Sequence, residues 1–203
     1  MPIPQSLAFH HGDVLLHVTP IEMSKFLSGP IVVRDPVEAD YTVLTAIVRG
    51  AFKEYQSFLA PEAYAQYLDE VVRLELRGSH GQALVAELAG RVVGTASYHH
   101  DTKENGVEWP AGWVNLRGLA VEAGARGKGV GRRMIEECAE RVRVQGGGAL
   151  CLHVSEAMAA AVLFFDHLGF KRVRHYDLPP APDPVTRARR SGPWSWAFFL
   201  PVI

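Results

Sequence analysis

The sequence predicts one α/β domain, on three observations: β-rich runs alternate with amphipathic helical patterns, 203 residues suffice for one sizeable core, and an apolar strand feeds through glycines directly into a helix. Composition is that of an ordinary soluble globular protein, 48% hydrophobic and 21% charged, with a formal net charge of -1. That balance argues against a nucleic-acid partner, because the densest basic run, Arg187, Arg189 and Arg190, is short and sits in a proline-rich loop. Cys138 and Cys151 fall in a predicted helix and a predicted strand without C-x-x-C or Cys/His spacing, so neither a disulfide nor a metal site is expected. No long stretch is free of charges and breakers, and the N-terminus lacks a secretory pattern, which together predict a cytoplasmic protein with no membrane partner.

Residues 1–29 end at the breaker cluster Ser28-Gly29-Pro30 and read as an N-terminal extension to a domain spanning 30–203. Ile31-Val32-Val33 is a first strand, ended by Asp35-Pro36. Asp40 then precedes Val43, Leu44, Ile47, Val48, Ala51 and Phe52, the spacing of one helix face, and a second helical pattern follows at Tyr64, Tyr67, Leu68 and Val71. Two β-rich runs, 83–88 and 91–98, joined by Ala89-Gly90, predict a hairpin. Trp113 to Val121 is a further strand, and Val130, Met134, Ile135, Cys138, Ala139 and Val142 line one face of a long helix that stops at Gly146-Gly147-Gly148. The unit repeats in kind, with a strand at 149–154, a helix carrying Met158, Ala161, Val162, Phe165 and Leu168, and a stop at Gly169. Strands at 170–176 and 194–200 close the chain, separated by a loop from Pro179 to Pro193.

The chemistry concentrates in residues 116–131, L-R-G-L-A-V-E-A-G-A-R-G-K-G-V-G. The first N–H groups of a helix have no internal partner and sit at the positive end of its dipole, while glycines admit a phosphate close to the backbone; Arg126 and Lys128 add charge. Spacing excludes two phosphate motifs. Gly124 and Gly129 have the separation of a Walker loop, but Val130 and Gly131 stand where Lys and Ser or Thr are required. Gly127, Gly129 and Gly131 are spaced G-x-G-x-G rather than the G-x-G-x-x-G of a dinucleotide fingerprint.

The segment resembles the pyrophosphate loop of the GNAT superfamily of N-acetyltransferases, R/Q-x-x-G-x-G/A after an L-A-V-like strand end: Arg126, Gly129 and Gly131 match, as does Leu119-Ala120-Val121. The resemblance covers about 31–200, with residues 150–170 similar to the family's second conserved block. It implies a central mixed, largely antiparallel sheet flanked by helices, and acetyl-coenzyme A as donor. It further implies that the backbone of Leu119, Ala120 and Val121 pairs with the pantetheine arm, that the loop of Arg126, Gly127, Lys128, Gly129, Val130, Gly131 and Arg132 holds the pyrophosphate, and that the strands at Trp113 and Ala149 splay where the donor enters. A backbone N–H near Leu119 is the implied oxyanion donor.

The second block departs from the family. Met158 and Phe165 stand where polar residues are usual, and Phe165, although placed to pack on the donor, has no hydroxyl to protonate a departing thiolate, a tolerable leaving group that solvent can protonate. Asn115 and Arg117 alternate with Leu119 and share its face unless a bulge intervenes; Asn115 then lines the acceptor pocket and Arg117 can hold an acceptor carboxylate. Tyr98 joins Leu119 and Asn115 as a catalytic candidate, while His99, His100, Glu108 and Glu122 are further candidates for the base, and sequence selects none. By the same resemblance the acceptor rim draws on Phe52, Tyr55, Tyr64, Tyr67, Trp194 and Trp196, which suits a small-molecule or peptide amine with an apolar body. A non-catalytic acyl-coenzyme A sensor is the alternative motivated by Met158 and Phe165, and an apolar last segment, 196–203, suggests a homodimer paired through strand edges.

Overall fold

The computed structural model describes residues 7–11, 14–18, 29–53, 56, 64–65, 68–69, 72, 81–100, 103–104, 107–180 and 193–202. Alternating apolar runs build the strands of the main sheet: β3 (Ile31–Arg34), β4 (Gly81–Leu88), β5 (Arg91–His99), β8 (Trp113–Val121), β9 (Ala149–Ser155), β10 (Lys171–Arg172) and β11 (Ser195–Pro201). Their spatial order is β10-β11-β9-β8-β5-β4-β3, and every neighbouring pair is antiparallel except β8 and β9. The sheet is thus mixed and largely antiparallel. Two short hairpins that the sequence reading did not anticipate form separate sheets, β1 (Leu7–His11) with β2 (Val14–Val18) and β6 (Lys103–Glu104) with β7 (Val107–Glu108).

Helices lie on both faces. On one, α1 (Tyr41–Phe52) buries Leu44, Ile47 and Val48 against Val85 and Ala120. On the other, α2 (Val130–Val144) and α3 (Ala159–His167) cover the larger core, in which Met134, Ile135, Cys138 and Val142 meet Leu84, Tyr98, Leu116, Leu150 and Phe198. These are the residues the 3.6-residue period selected, so periodicity alone located the buried stripe of α2. The helix ends where predicted: Gly146 takes φ +81, its N–H reaches the Arg143 carbonyl at 3.0 Å, and Gly147 N–H reaches Val142 at 2.8 Å, the paired bonds of a Schellman stop. Burial pushes the Cys138 thiol up to about 12, and Cys138 and Cys151 are both buried thiols outside any disulfide.

Several expectations need amendment. The strand predicted at 170–176 is only two residues long, followed by a 3-10 turn at Arg174–Tyr176. Asp40 precedes α1 but does not cap it, because its carboxylate is claimed elsewhere. It accepts Arg34 Nη1 at 2.7 Å and Nη2 at 3.1 Å, plus the Val37 N–H at 2.7 Å, while Arg34 Nε also donates to Glu87 at 2.7 Å. The edge offered by β11 for dimer pairing is closed by β10 and by Val173 and Leu178, whose N–H groups donate to the Ala197 and Ser195 carbonyls at 2.8 Å. Of the second predicted helix, Tyr64 and Leu68 are buried and helical, whereas Tyr67, Val71, Tyr55 and the arginines 187, 189 and 190 lie outside the described residues.

The β4–β5 hairpin turns through Ala89 at φ +53 and Gly90 at φ +75, both in the left-handed region that a two-residue turn requires. Alanine is strained there. Ala89→Asn is expected to stabilise the fold by about 1 kcal/mol, read as a rise in the thermal midpoint, since asparagine tolerates this conformation better.

Candidate functional site

β8 and β9 pair over three residues only: Trp113 with Ala149, Val114 with Leu150 and Asn115 with Cys151. Beyond that rung the strands continue to Val121 and Ser155 without further pairing, so the centre of the sheet forks. The backbone groups of 116–121 that point toward β9 therefore have no strand neighbour on that side.

A bulge accompanies the fork. Ser97 pairs with Arg117 and Thr95 with Ala120, which leaves Gly118 and Leu119 together opposite Ala96, with Gly118 at φ +58. One extra residue reverses the alternation. Asn115 and Arg117 remain on the α1 face, as the in-register partners of His99 and Ser97, and Ala120 packs there under α1. Leu119 and Val121 turn to the α2 face instead, so the face that Asn115, Arg117 and Leu119 were expected to share is split.

Beyond β8 the chain passes a 3-10 turn at Ala123–Ala125 and enters α2 through Gly127 (φ +73) and Gly129 (φ +85), the latter at the N-cap. The first bond closing the helix runs from Arg133 N–H to the Gly129 carbonyl at 3.0 Å. The N–H groups of Val130, Gly131 and Arg132 are left pointing outward from the positive helix end. Arg126 folds back so that Nε donates to the Val121 carbonyl at 3.1 Å, tying loop to strand. Gly131 is the closest-packed glycine of this junction: a Cβ there would stand 2.9 Å from the tip of the Phe164 ring on α3, so a side chain at this position would have to displace that ring.

These pieces enclose a cleft of about 420 Å³. Leu119, Ala120 and Val121 form its strand wall, Arg126, Gly127, Gly129, Val130, Gly131 and Arg132 its floor, and Met158, Phe164, Phe165, His167 and Leu168 its far wall. Of the residues expected around a phosphate ligand, Lys128 alone is absent from this lining. Phe165 serves two purposes, since it lines the cleft and is also buried against Phe164 and Phe170 with ring centroids 5.3 Å away. Phe52 lines this same cleft rather than an acceptor rim, and Phe164 and His167 are additions that the helical pattern of α3 did not single out.

The cleft fits an extended diphosphate-bearing ligand on its own chemistry: a glycine-cleared helix terminus with unclaimed N–H donors at one end, an apolar channel along a strand with open backbone groups at the other.

Other candidates are placed elsewhere. Tyr98 points to the α2 face, is fully buried, donates its hydroxyl to Gln82 and accepts from Gln145 at 3.3 Å, so it is not brought to the fork. His100 meets Gln145 at 2.9 Å, Glu122 is ion-paired with Arg91 at 2.6 Å, and Glu108 is exposed on β7. Trp196 packs on the α2 and α3 side beneath Arg172, whose guanidinium carbon is 3.8 Å from the ring centroid, and Trp194 is exposed. The aromatic surface of the α1 face is instead made by Trp109, Trp113, Tyr176 and Phe199, gathered around Cys151 and Ala197 beside the last rung. Nothing in the spacing of Trp109 or Tyr176 announced this: Trp109 lies in a connecting segment, and Tyr176 closes the run predicted as a strand at 170–176, which folds instead into a 3-10 turn. Among the described residues no group of three His, Cys, Asp or Glu side chains is arranged to hold a metal ion, and no helix is long and apolar enough to cross a membrane.

Comparison with known proteins agrees with this geometry. The sequence model of the Acetyltransferase (GNAT) family matches residues 47–170. The IAA acetyltransferase of Azospirillum brasilense is 29% identical over 103 residues, 51% of this chain and 62% of that protein, so the chain spans less than two thirds of this relative's length. Among solved structures, PaiA N-acetyltransferase from Thermoplasma acidophilum in complex with coenzyme A superposes with a TM-score of 0.59 at 15% identity, covering 83% of this chain and 98% of that one. Ribosomal-protein-alanine N-acetyltransferase from Brucella melitensis gives 0.55 at 25% identity, covering 84% and 99%. A family match over more than half the chain, on a forked sheet with this loop, establishes that the protein belongs to the GNAT family of acetyltransferases, whose acetyl donor is acetyl-coenzyme A.

Proposed function

We propose that this protein is an N-acetyltransferase moving an acetyl group from acetyl-coenzyme A to a primary amine of a small molecule or peptide, within a domain of residues 30–203 and in the cytoplasm. The observation that carries the reading is the fork: strands that part after Asn115 beside a glycine-cleared helix terminus. In this reading the N–H groups of 130–132 hold the pyrophosphate, with Arg126 and Arg132 supplying charge, and the open backbone of Leu119, Ala120 and Val121 takes the pantetheine amides as a further strand would. The bulge turns the backbone at Gly118 and Leu119 out of the regular ladder, which supports an N–H near Leu119 as the oxyanion donor. Asn115, buried at the last rung, is placed to orient the acceptor.

The relatives named above support an acetyl rather than a longer acyl donor by their names. Calorimetric titration with acetyl-coenzyme A, coenzyme A and ATP is the test. Saturable binding of both coenzyme A species, at least tenfold tighter than ATP, followed by thiol release with a panel of amines, is the expected result. Binding without turnover across a broad panel would instead identify a sensor.

A further inference from the structure

We infer that His153, on the β9 arm of the fork, is the general base that removes the proton from the acceptor ammonium. This rests on the acetyl-transfer reading above. The donor cleft is walled by α2 and α3 and reaches Ala51 and Phe52 at the end of α1, but Asn115, Arg117, Cys151 and His153 stand outside its lining, so the fork is left open to an amine on the face that carries them. There the two arms present His153 and Arg117, each two residues beyond the last rung, Asn115 with Cys151, and on the same face as those residues.

The imidazole is oriented from two directions. Its Nε2 lies 2.8 Å from the Tyr176 carbonyl, an arrangement that places the proton on Nε2 and the lone pair on Nδ1. Its ring packs on Trp109 with centroids 4.7 Å apart. A nitrogen whose partner nitrogen is fixed by a backbone carbonyl is what a directed proton acceptor needs. His153 is also only partly buried, whereas the rival histidine, His99, is sealed. The His99 ring lies across Gly81, where a Cβ would stand 2.1 Å from its Cε1, and its Nε2 meets Ser97 Oγ at 3.0 Å, so it faces β4 and away from the fork.

Among the described residues, the titratable and charged groups near His153 include Cys151 on its own strand, Arg117 at the matching position of the other arm, and Tyr176 and Asp177 on the segment packed over it; β11 presents Ala197 and Ser195. The proton inventory closes. The ammonium yields one proton to Nδ1; as the C–N bond forms and the C–S bond breaks, the amine's second proton goes to the thiolate, and the imidazolium releases its proton to solvent.

The test is His153→Gln, which keeps a donor for the Tyr176 carbonyl but has no titratable nitrogen, compared with His99→Gln in the full chain. Expected are a loss of about 100- to 1,000-fold in kcat/KM for His153→Gln, disappearance of the acidic limb of its pH profile, and unchanged coenzyme A affinity by calorimetry, with His99→Gln within a few-fold of the wild type. Should the glutamine variant fail to fold, His153→Asn is read in the same way. A His153 variant that retains both rate and limb, or a limb that vanishes in His99→Gln, overturns the assignment while acetyl transfer stands. A wild-type protein that binds coenzyme A but acetylates no amine removes both.

Discussion

Gly129→Val is expected to weaken coenzyme A binding by at least about 100-fold while leaving a folded protein. Two independent costs fall on the same position. At φ +85 a β-branched residue is strained by roughly 1–2 kcal/mol, and the strain is relieved by shifting the N-cap that aims the N–H groups of Val130, Gly131 and Arg132. The added side chain also stands on the floor of the cleft, where a phosphate would approach the backbone. Its Cβ meets nothing closer than Ile31 Cδ1 at 3.7 Å, so packing of the core is spared. Calorimetry paired with a thermal melt separates the effects: a variant that melts as the wild type does and still binds coenzyme A with unchanged affinity would remove this loop from the site.

The second large effect is on stability. Asp40→Asn is expected to cost about 2–3 kcal/mol at neutral pH, because Asp40 is buried and its carboxylate anchors Arg34 and the Val37 N–H ahead of α1. The Arg34 guanidinium holds this carboxyl below the usual carboxylate range. A group whose folded pKa is depressed contributes its stability above the unfolded value, near 4, and loses it as pH falls through the folded value. Wild-type protein should therefore lose stability steeply below about pH 4, and the asparagine variant should show a shallower acid slope from a lower plateau in denaturant titrations at several pH values. Parallel slopes would mean that Arg34 does not discriminate the ionised form.

What the sequence made legible depended on periodicity. The buried stripe of α2, the hairpin through Ala89-Gly90 and the bounds of β8 each repeat a backbone period over enough residues to be read, and the glycines before α2 mark a turn that only glycine enters cheaply. The site on the α1 face was not legible in that way. A single inserted residue at Gly118 reverses which side chains share a face; a glycine inside a strand marks where a bulge can form without fixing that one does. Tyr98 is a different case: it lies between Ser97 and His99, so strand alternation alone turns its side chain to the α2 face, where its hydroxyl meets Gln82 and Gln145. His153 and Trp109 meet through contacts made 44 positions apart in the chain, which pattern within a window cannot register.

A sheet ordinarily keeps its unpaired groups at the rim, where they invite other chains and must be blunted by charge or bulges. Here one open edge is interior. β11 is closed on its outer side by β10, Val173 and Leu178, while β8 beyond Asn115 has no strand on its β9 side and borders the cleft under α2 and α3. In the reading proposed above, a single extended chain of amides completes that edge, so the selection of ligand would begin with the backbone before any side chain is consulted.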